Sequence, residues 1–328
     1  MSRHHHHRGL FATLAAAQRR AERESAKRHR FHVAQQKKFE AENLKALAAT
    51  TVEAHENHLE MIVTLHHDAA APPDWAQVVA TAPPQQTQER ENQARRALES
   101  YRPSLFERVF GGEKKRRAEL EAAIPKALAE DEAVSREALE QWNQYQHTAR
   151  GIVQGDLQAY RVAVENLGPF DEIEEIGGKV KTRVVEQTVV EASVLVPHDI
   201  VPAVEHKLLA SGKLSTKEMP KARYWGFYQE HLCSVAIRVA RELFHLLPLT
   251  RIFVDVGTIR LNTATGHMTN DTLLSVEFDR DRLLGLNFQR IDPSNTVQSF
   301  RHAMEFKKTT GFAPIERLQA LAQLTSLQ

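Results

Sequence analysis

Cysteine is nearly missing from these 328 residues: Cys233 stands alone. No intrachain disulfide can form, and nothing in thiol usage points to an oxidising compartment, so a cytoplasmic setting is expected. Long apolar runs are missing too. No window reaches about eighteen consecutive apolar residues, which argues against a membrane-spanning helix, and Met1 to Arg8 lacks the apolar core of a secretory signal. Glycine is scarce at the front, where only Gly9, Gly111 and Gly112 of the fourteen precede residue 151. From Leu10 to Ala71 there is neither glycine nor proline, so a single long helix is predicted from about Leu10 to His67.

Several catalytic signatures are also absent. Gly111 and Gly112 before Glu113, Lys114 and Lys115 lack the upstream glycine, the strand and the Lys-Ser/Thr pair of a phosphate-binding loop. There is no Gly-x-Ser-x-Gly elbow. His55 and His58 are three apart rather than four, so the zinc-protease spacing fails, and no metal site is assigned. The His4 to His7 run is given no role. Cys233 lies among apolar neighbours and reads as an inert core thiol.

What is present is charge, unevenly placed. The net charge is only +1, with 26% charged and 42% hydrophobic residues. Met1 to Lys38 nevertheless holds ten Lys or Arg against Glu22 and Glu24, a local balance of +8. Arg19, Arg23, Lys27, Arg30 and Lys37 recur at helical spacing, and Arg20 and Arg28 widen the stripe. Such a face could track nucleic-acid phosphates by releasing their counterions, or it could simply be solvated.

Three segments follow from the pattern: a basic helical end over 1–38, a helical hairpin over 39–167, and a globular α+β domain over 168–328. The hairpin bends at the proline-rich stretch 70–85. Leu44, Leu47, Thr51, Ala54, His58, Met61 and Leu65 alternate steps of three and four, the spacing of a coiled-coil seam. A second strip runs from Leu120 to Ala149, and the two are expected to pack as an antiparallel stalk. Beyond Gly178 the period shortens. Val180 to Val185 and Val189 to Val196 read as a strand pair, Ile200 to Ala210 as a short helix, and Arg223 to Leu247 as a buried helix. Ile252 to Leu261 and Leu273 to Phe278 form a hairpin, Asp292 and Pro293 start a short helix, and Ala303 to Lys308 reads as an edge strand. The fold class is α+β, mainly antiparallel strands around one buried helix, with a long helical stalk.

Two clusters invite chemistry. Strand alternation puts Asp255, Glu277 and Asp279 on one face of the predicted hairpin, where three carboxylates could hold Mg²⁺ for a metal-dependent nuclease. The lysine of a nuclease Glu-x-Lys pair is missing after Glu277, and a solvated acidic face accounts for the same residues. On the buried helix, Ser234, Arg238, Arg241 and His245 form a polar line. Arg238, Arg241 and His245 are a candidate anion pocket, with a water-facing helix side as the simpler account.

Ranked together, these features favour a non-enzymatic scaffold or adaptor that self-associates or docks a protein partner through its helices. No cofactor is expected. The nuclease using Asp255, Glu277 and Asp279 with Mg²⁺, and a nucleic-acid-binding module, are the alternatives.

Overall fold

A computed structural model describes residues 35–109, 111–167, 170–262 and 265–318. The fold is α+β. The chain divides into two units, neither continuous in sequence: residues up to Thr64, Asp199–His231 and Lys307–Gly311 form one, while Leu65–His198, Leu232–Phe306 and residues from Phe312 onward form the other.

Where glycine and proline are absent, helix persists: residues 35–64 form α1. Past the Pro72–Pro73 pair, the Asp74 carboxylate accepts the Gln77 N–H at 2.9 Å and starts α2 (Trp75–Ala80). The helices α3 (Glu89–Ser100) and α4 (Leu105–Val109) follow. Gly111, at φ 79°, then opens the 43-residue α5 (Gly112–Gln154), which runs on through Pro125 and ends at Gly155. Helices α6 (Leu157–Leu167) and α7 (Asp171–Glu175) lead into the sheet. The strip on α5 is met by α3 running antiparallel: Ser135 Oγ accepts the Thr87 N–H at 3.0 Å, and Asp131 accepts those of Arg90 and Glu91. Leu44 to Leu65, the strip expected to fill that role, lies almost wholly in the other unit.

The sheet order is β1-β2-β5-β6-β7-β8, with β1 (Lys179–Glu186), β2 (Val189–Leu195), β5 (Arg251–Asn262), β6 (His267–Asp279), β7 (Arg301–Lys307) and β8 (Gly311–Ala313). Neighbours β1/β2, β5/β6 and β6/β7 are antiparallel, whereas β2 and β5 are parallel. That parallel pair needs a long crossover, and α8 (Lys221–Leu246) lies within it. The apolar rows Val190/Ile252/Phe278, Ala192/Val254/Val276 and Val194/Val256/Leu274 are all buried. With Leu232, Val235, Ala236, Val239, Leu243 and Phe244 of α8, also wholly buried, they make the core of this unit. The opposite face is polar in two rows: Arg183/Glu191/Phe253/Glu277/Arg301 and Lys181/Ser193/Asp255/Ser275/Ala303.

Two sequence expectations change. Ile200 to Ala210 is no helix: β3 (Val204–Leu208) and β4 (Leu214–Glu218) form an antiparallel hairpin there. Gly212 at φ 77° sits in the turn between them, and cross-strand pairing outweighs the helix propensity of the Glu-His-Lys-Leu run. The strand β7 is not the edge, because β8 lies beyond it. The remaining short helices are α9 (Arg280–Leu284) and α10 (Pro293–Ser299), the latter capped by Asp292 with Pro293 in its first turn, as read from sequence.

Candidate functional site

The first unit carries a group of exposed apolar side chains on α1 and the β3–β4 hairpin. Its buried contacts on α1 fall at Ala48, Leu59 and Ile62, with Val52, His55 and His58 partly buried between them. That strip lies one residue C-terminal to much of the predicted seam. Leu44 and Leu47 are therefore left outside, at 67% and 64% exposure, with Phe39 at 64%. At 100° per residue, Leu44, Leu47 and Thr51 lie within about 60° of one another. Beside them, Leu208 and Leu214 are cross-strand partners in the β3–β4 hairpin and are also exposed. A groove of roughly 390 Å³ is lined by Leu44, Leu47, Ala48 and Thr51 on the helix and by Gly212 and Leu214 on the hairpin.

The same unit gathers histidines. His58 Nε2 donates to the Ile200 carbonyl at 2.8 Å, and His55 meets His206 edge-on at 5.1 Å between ring centroids. The wholly buried His231 donates from Nδ1 to the Ile62 carbonyl at 2.9 Å, and burial lowers its pKa to about 4. Among the described residues no group of three or more His, Cys, Asp or Glu is placed to hold a metal ion.

Asp255, Glu277 and Asp279 do share a sheet face, in successive rows, but each has its own partner. Ser275 Oγ donates to Asp255 at 2.6 Å; Glu277 lies between Arg301 at 2.7 Å and Arg251 at 3.5 Å; Asp279 accepts the Arg282 N–H at 3.1 Å and caps α9. The three carboxylates are not gathered into one cavity. Asp255 lines a hollow of roughly 270 Å³ bordered by Lys179, Lys181, Ser193, Ile259 and Arg317, which neither Glu277 nor Asp279 borders. Asp255 is 8% exposed, and burial raises its pKa against the opposing effects of Ser275 and Arg317. The nuclease arrangement loses its geometric basis here.

The polar line on α8 is buried at Ser234 and Arg238 and partly exposed at Arg241 and His245. Ser234 is wholly buried and accepts the His66 N–H at 3.0 Å. Arg238, 6% exposed, donates to the carbonyls of Leu65 and Asp68 and pairs with Glu242 at 2.8 Å and Glu172 at 3.0 Å. Arg241 donates to the carbonyls of His66 and His67 and lies 3.6 Å above the Phe288 ring; His245 donates to that of Ala70 at 2.7 Å. These side chains satisfy the carbonyls of the turn 65–70, as cations do near helix C-termini. The adjoining cavity of roughly 400 Å³ sets Asp171, Glu172 and Glu242 against Arg238 and His245, so it lacks the positive excess an anion needs.

Of the basic stripe, Arg19, Arg20, Arg23, Lys27, Arg28 and Arg30 lie outside the described residues, and Lys37 is exposed on α1. Among the described residues no helix is long and apolar enough to cross a membrane. No family model, curated protein or solved structure matches the chain, so its function is argued from its own residues.

Proposed function

We propose that this protein is a non-enzymatic assembly or adaptor protein that pairs with a second copy of itself through α1, two antiparallel helices meeting as a short coiled coil. The observation that carries it is the exposed Leu44–Leu47 pair beside Leu214, lining an apolar groove on a helix that is otherwise largely polar on its exposed side. Charge favours the antiparallel arrangement. The front of α1 bears Lys37, Lys38 and Lys45 against Glu40 and Glu42; from Ala46 to Thr64 there is no Lys or Arg, and Glu53, Glu56 and Glu60 are exposed. With a two-fold axis between Lys45 and Ala46, Leu44 meets Leu47 and Glu40 meets Thr51 on one side of the helix, and the front of each helix lies along the acidic half of the other, whereas a parallel pair would align the two acidic halves. The buried single thiol, Cys233, fits a cytoplasmic setting.

Sedimentation of the full chain tests this: the wild type is expected to be a dimer, and Leu44→Glu/Leu47→Glu a monomer of unchanged helicity. A chain carrying both Glu40→Cys and Thr51→Cys, which lie on the same side of α1 as the two leucines, should form a disulfide-linked dimer on oxidation, and neither single variant should. A monomeric wild type, or a dimer indifferent to the double glutamate substitution, ends the proposal. The +8 balance from Met1 through Lys38 supports a second activity, salt-sensitive binding of duplex DNA by the assembled protein. Deleting residues 1–34 should abolish that binding; retention of full affinity would refute it.

A further inference from the structure

The polar face of the sheet holds charges that no partner matches. Lys179 and Lys181 alternate along the edge strand β1 and point to the same side as Ser193 and Asp255. Neither lysine has a carboxylate partner among the described residues. Opposite them stands Arg317, whose position is built rather than incidental. The Ile315 N–H donates to the Thr272 carbonyl at 2.9 Å and the Leu318 N–H to Ser275 Oγ at 3.0 Å, so the backbone on both sides of Arg317 is tied to β6. Its Nε donates to Thr272 Oγ1 at 3.2 Å and makes an ion pair with the Asp255 carboxylate at 3.7 Å, while Nη1 reaches Ser193 Oγ at 3.5 Å. The guanidinium is half-exposed, with donors to spare. Between these groups lies the 270 Å³ hollow.

The β5–β6 register shifts between Val256 and Gly257, where a Cβ would come within 2.5 Å of the Asp271 carbonyl, so the residue that lines the hollow here carries no side chain. Leu195 and Ile259 form apolar walls beside it. The hollow thus combines three cations at its rim, one buried carboxylate at its base and a small apolar wall.

We propose that this hollow binds a small phosphomonoester, its phosphate held by Lys179, Lys181 and Arg317 and a hydroxyl of its organic part donating to Asp255. Three cations against one carboxylate leave a balance of +2, which matches the near-dianionic charge of a phosphomonoester at neutral pH better than that of a simple carboxylate. Arginine presents a fork to two phosphate oxygens, and the lysines act as point charges. The volume lies near the lower end for ligand pockets, roughly 300 Å³, which suits a compact metabolite rather than a nucleotide.

Calorimetric titration of the full chain with inorganic phosphate, glycerol 3-phosphate and acetate tests this. Phosphate and the ester should bind and acetate should not, with the ester tighter than phosphate. Lys179→Gln/Lys181→Gln, on exposed positions where folding is undisturbed, should weaken phosphate at least about tenfold, and Arg317→Gln similarly. Asp255→Asn should remove the preference for the ester while leaving phosphate bound. Failure of both phosphate compounds to bind, or binding unchanged by the lysine pair, overturns the proposal.

Discussion

The carboxylate of Asp131 accepts the backbone N–H of Glu91 at 2.9 Å, reaching from the middle of α5 to the first turn of α3. The N-cap residue of α3, Gln88, makes no side-chain capping bond, so a residue forty positions away does the capping. It also accepts the Arg90 N–H at 3.3 Å and is 2% exposed. Asp131→Ala should therefore cost about 1–3 kcal/mol, since it leaves two donors at a helix start unsatisfied. Hydrogen exchange should speed up first in α3 and its facing turns of α5; a uniform change, or none, would contradict the assignment.

The ion pair of Arg238 and Glu242 is buried on both sides, at 7% and 2% side-chain exposure. Glu242→Leu alone leaves Arg238 with only the exposed Glu172 as counter-charge and strands the Ala70 N–H that Glu242 also accepts, and should destabilise by about 1–3 kcal/mol. Arg238→Met combined with Glu242→Leu should cost less than the sum of the single changes. Chemical denaturation of the four proteins in a double-mutant cycle reads that coupling.

His231 links stability to acid. Its folded pKa of about 4 lies below the ordinary 6.5, with burial the chief cause and His58 a smaller one. Between those values the unfolded chain binds the extra proton, so stability is full above about pH 6.5 and falls as pH drops towards 4. The loss attributable to this group is about 3 kcal/mol on complete protonation. His231→Gln should flatten the profile between these limits in urea titrations at successive pH values, whatever it does to stability at neutral pH.

Gly311 sits at φ 81°, and a Cβ there would come within 2.6 Å of the Trp225 ring. Gly311→Ala meets both backbone strain and an aromatic wall, and should lower stability by about 1–3 kcal/mol. Paired with Trp225→Leu, part of the cost should return; thermal melts of the single and double variants decide whether the ring is the obstacle.

Sequence patterns revealed elements whose cause is local and concealed those whose cause is distant. Asp292 and Pro293 announce α10, and β-branched runs announce β1 and β2, because capping and strand propensity act within a few residues. The β3–β4 hairpin was hidden because Val204 to Ala210 has a helix-compatible composition and only its partner strand decides. The packed strip on α1 is displaced from its leucine spacing because Leu44 and Leu47 stay exposed while the packed positions include the polar His55 and His58. The polar line of α8 was visible, but the carbonyls of residues 65–70 that it serves were not. Lys179, Lys181 and Arg317 carried no joint signal at all: sheet register and two backbone hydrogen bonds bring them to one hollow.

The division of the chain has a consequence for anyone wishing to isolate its parts. The boundary between the two units is crossed at residues 64, 198, 231, 306 and 311, so the polypeptide passes from one to the other five times. No single truncation point releases either unit whole. Removing the chain after residue 198 takes α8 and four of the six sheet strands, and starting at residue 65 strips α1 from its hairpin. Shortened versions should be assayed for folding before any loss of activity is assigned to the missing piece, and point substitutions are the cleaner way to separate the two surfaces.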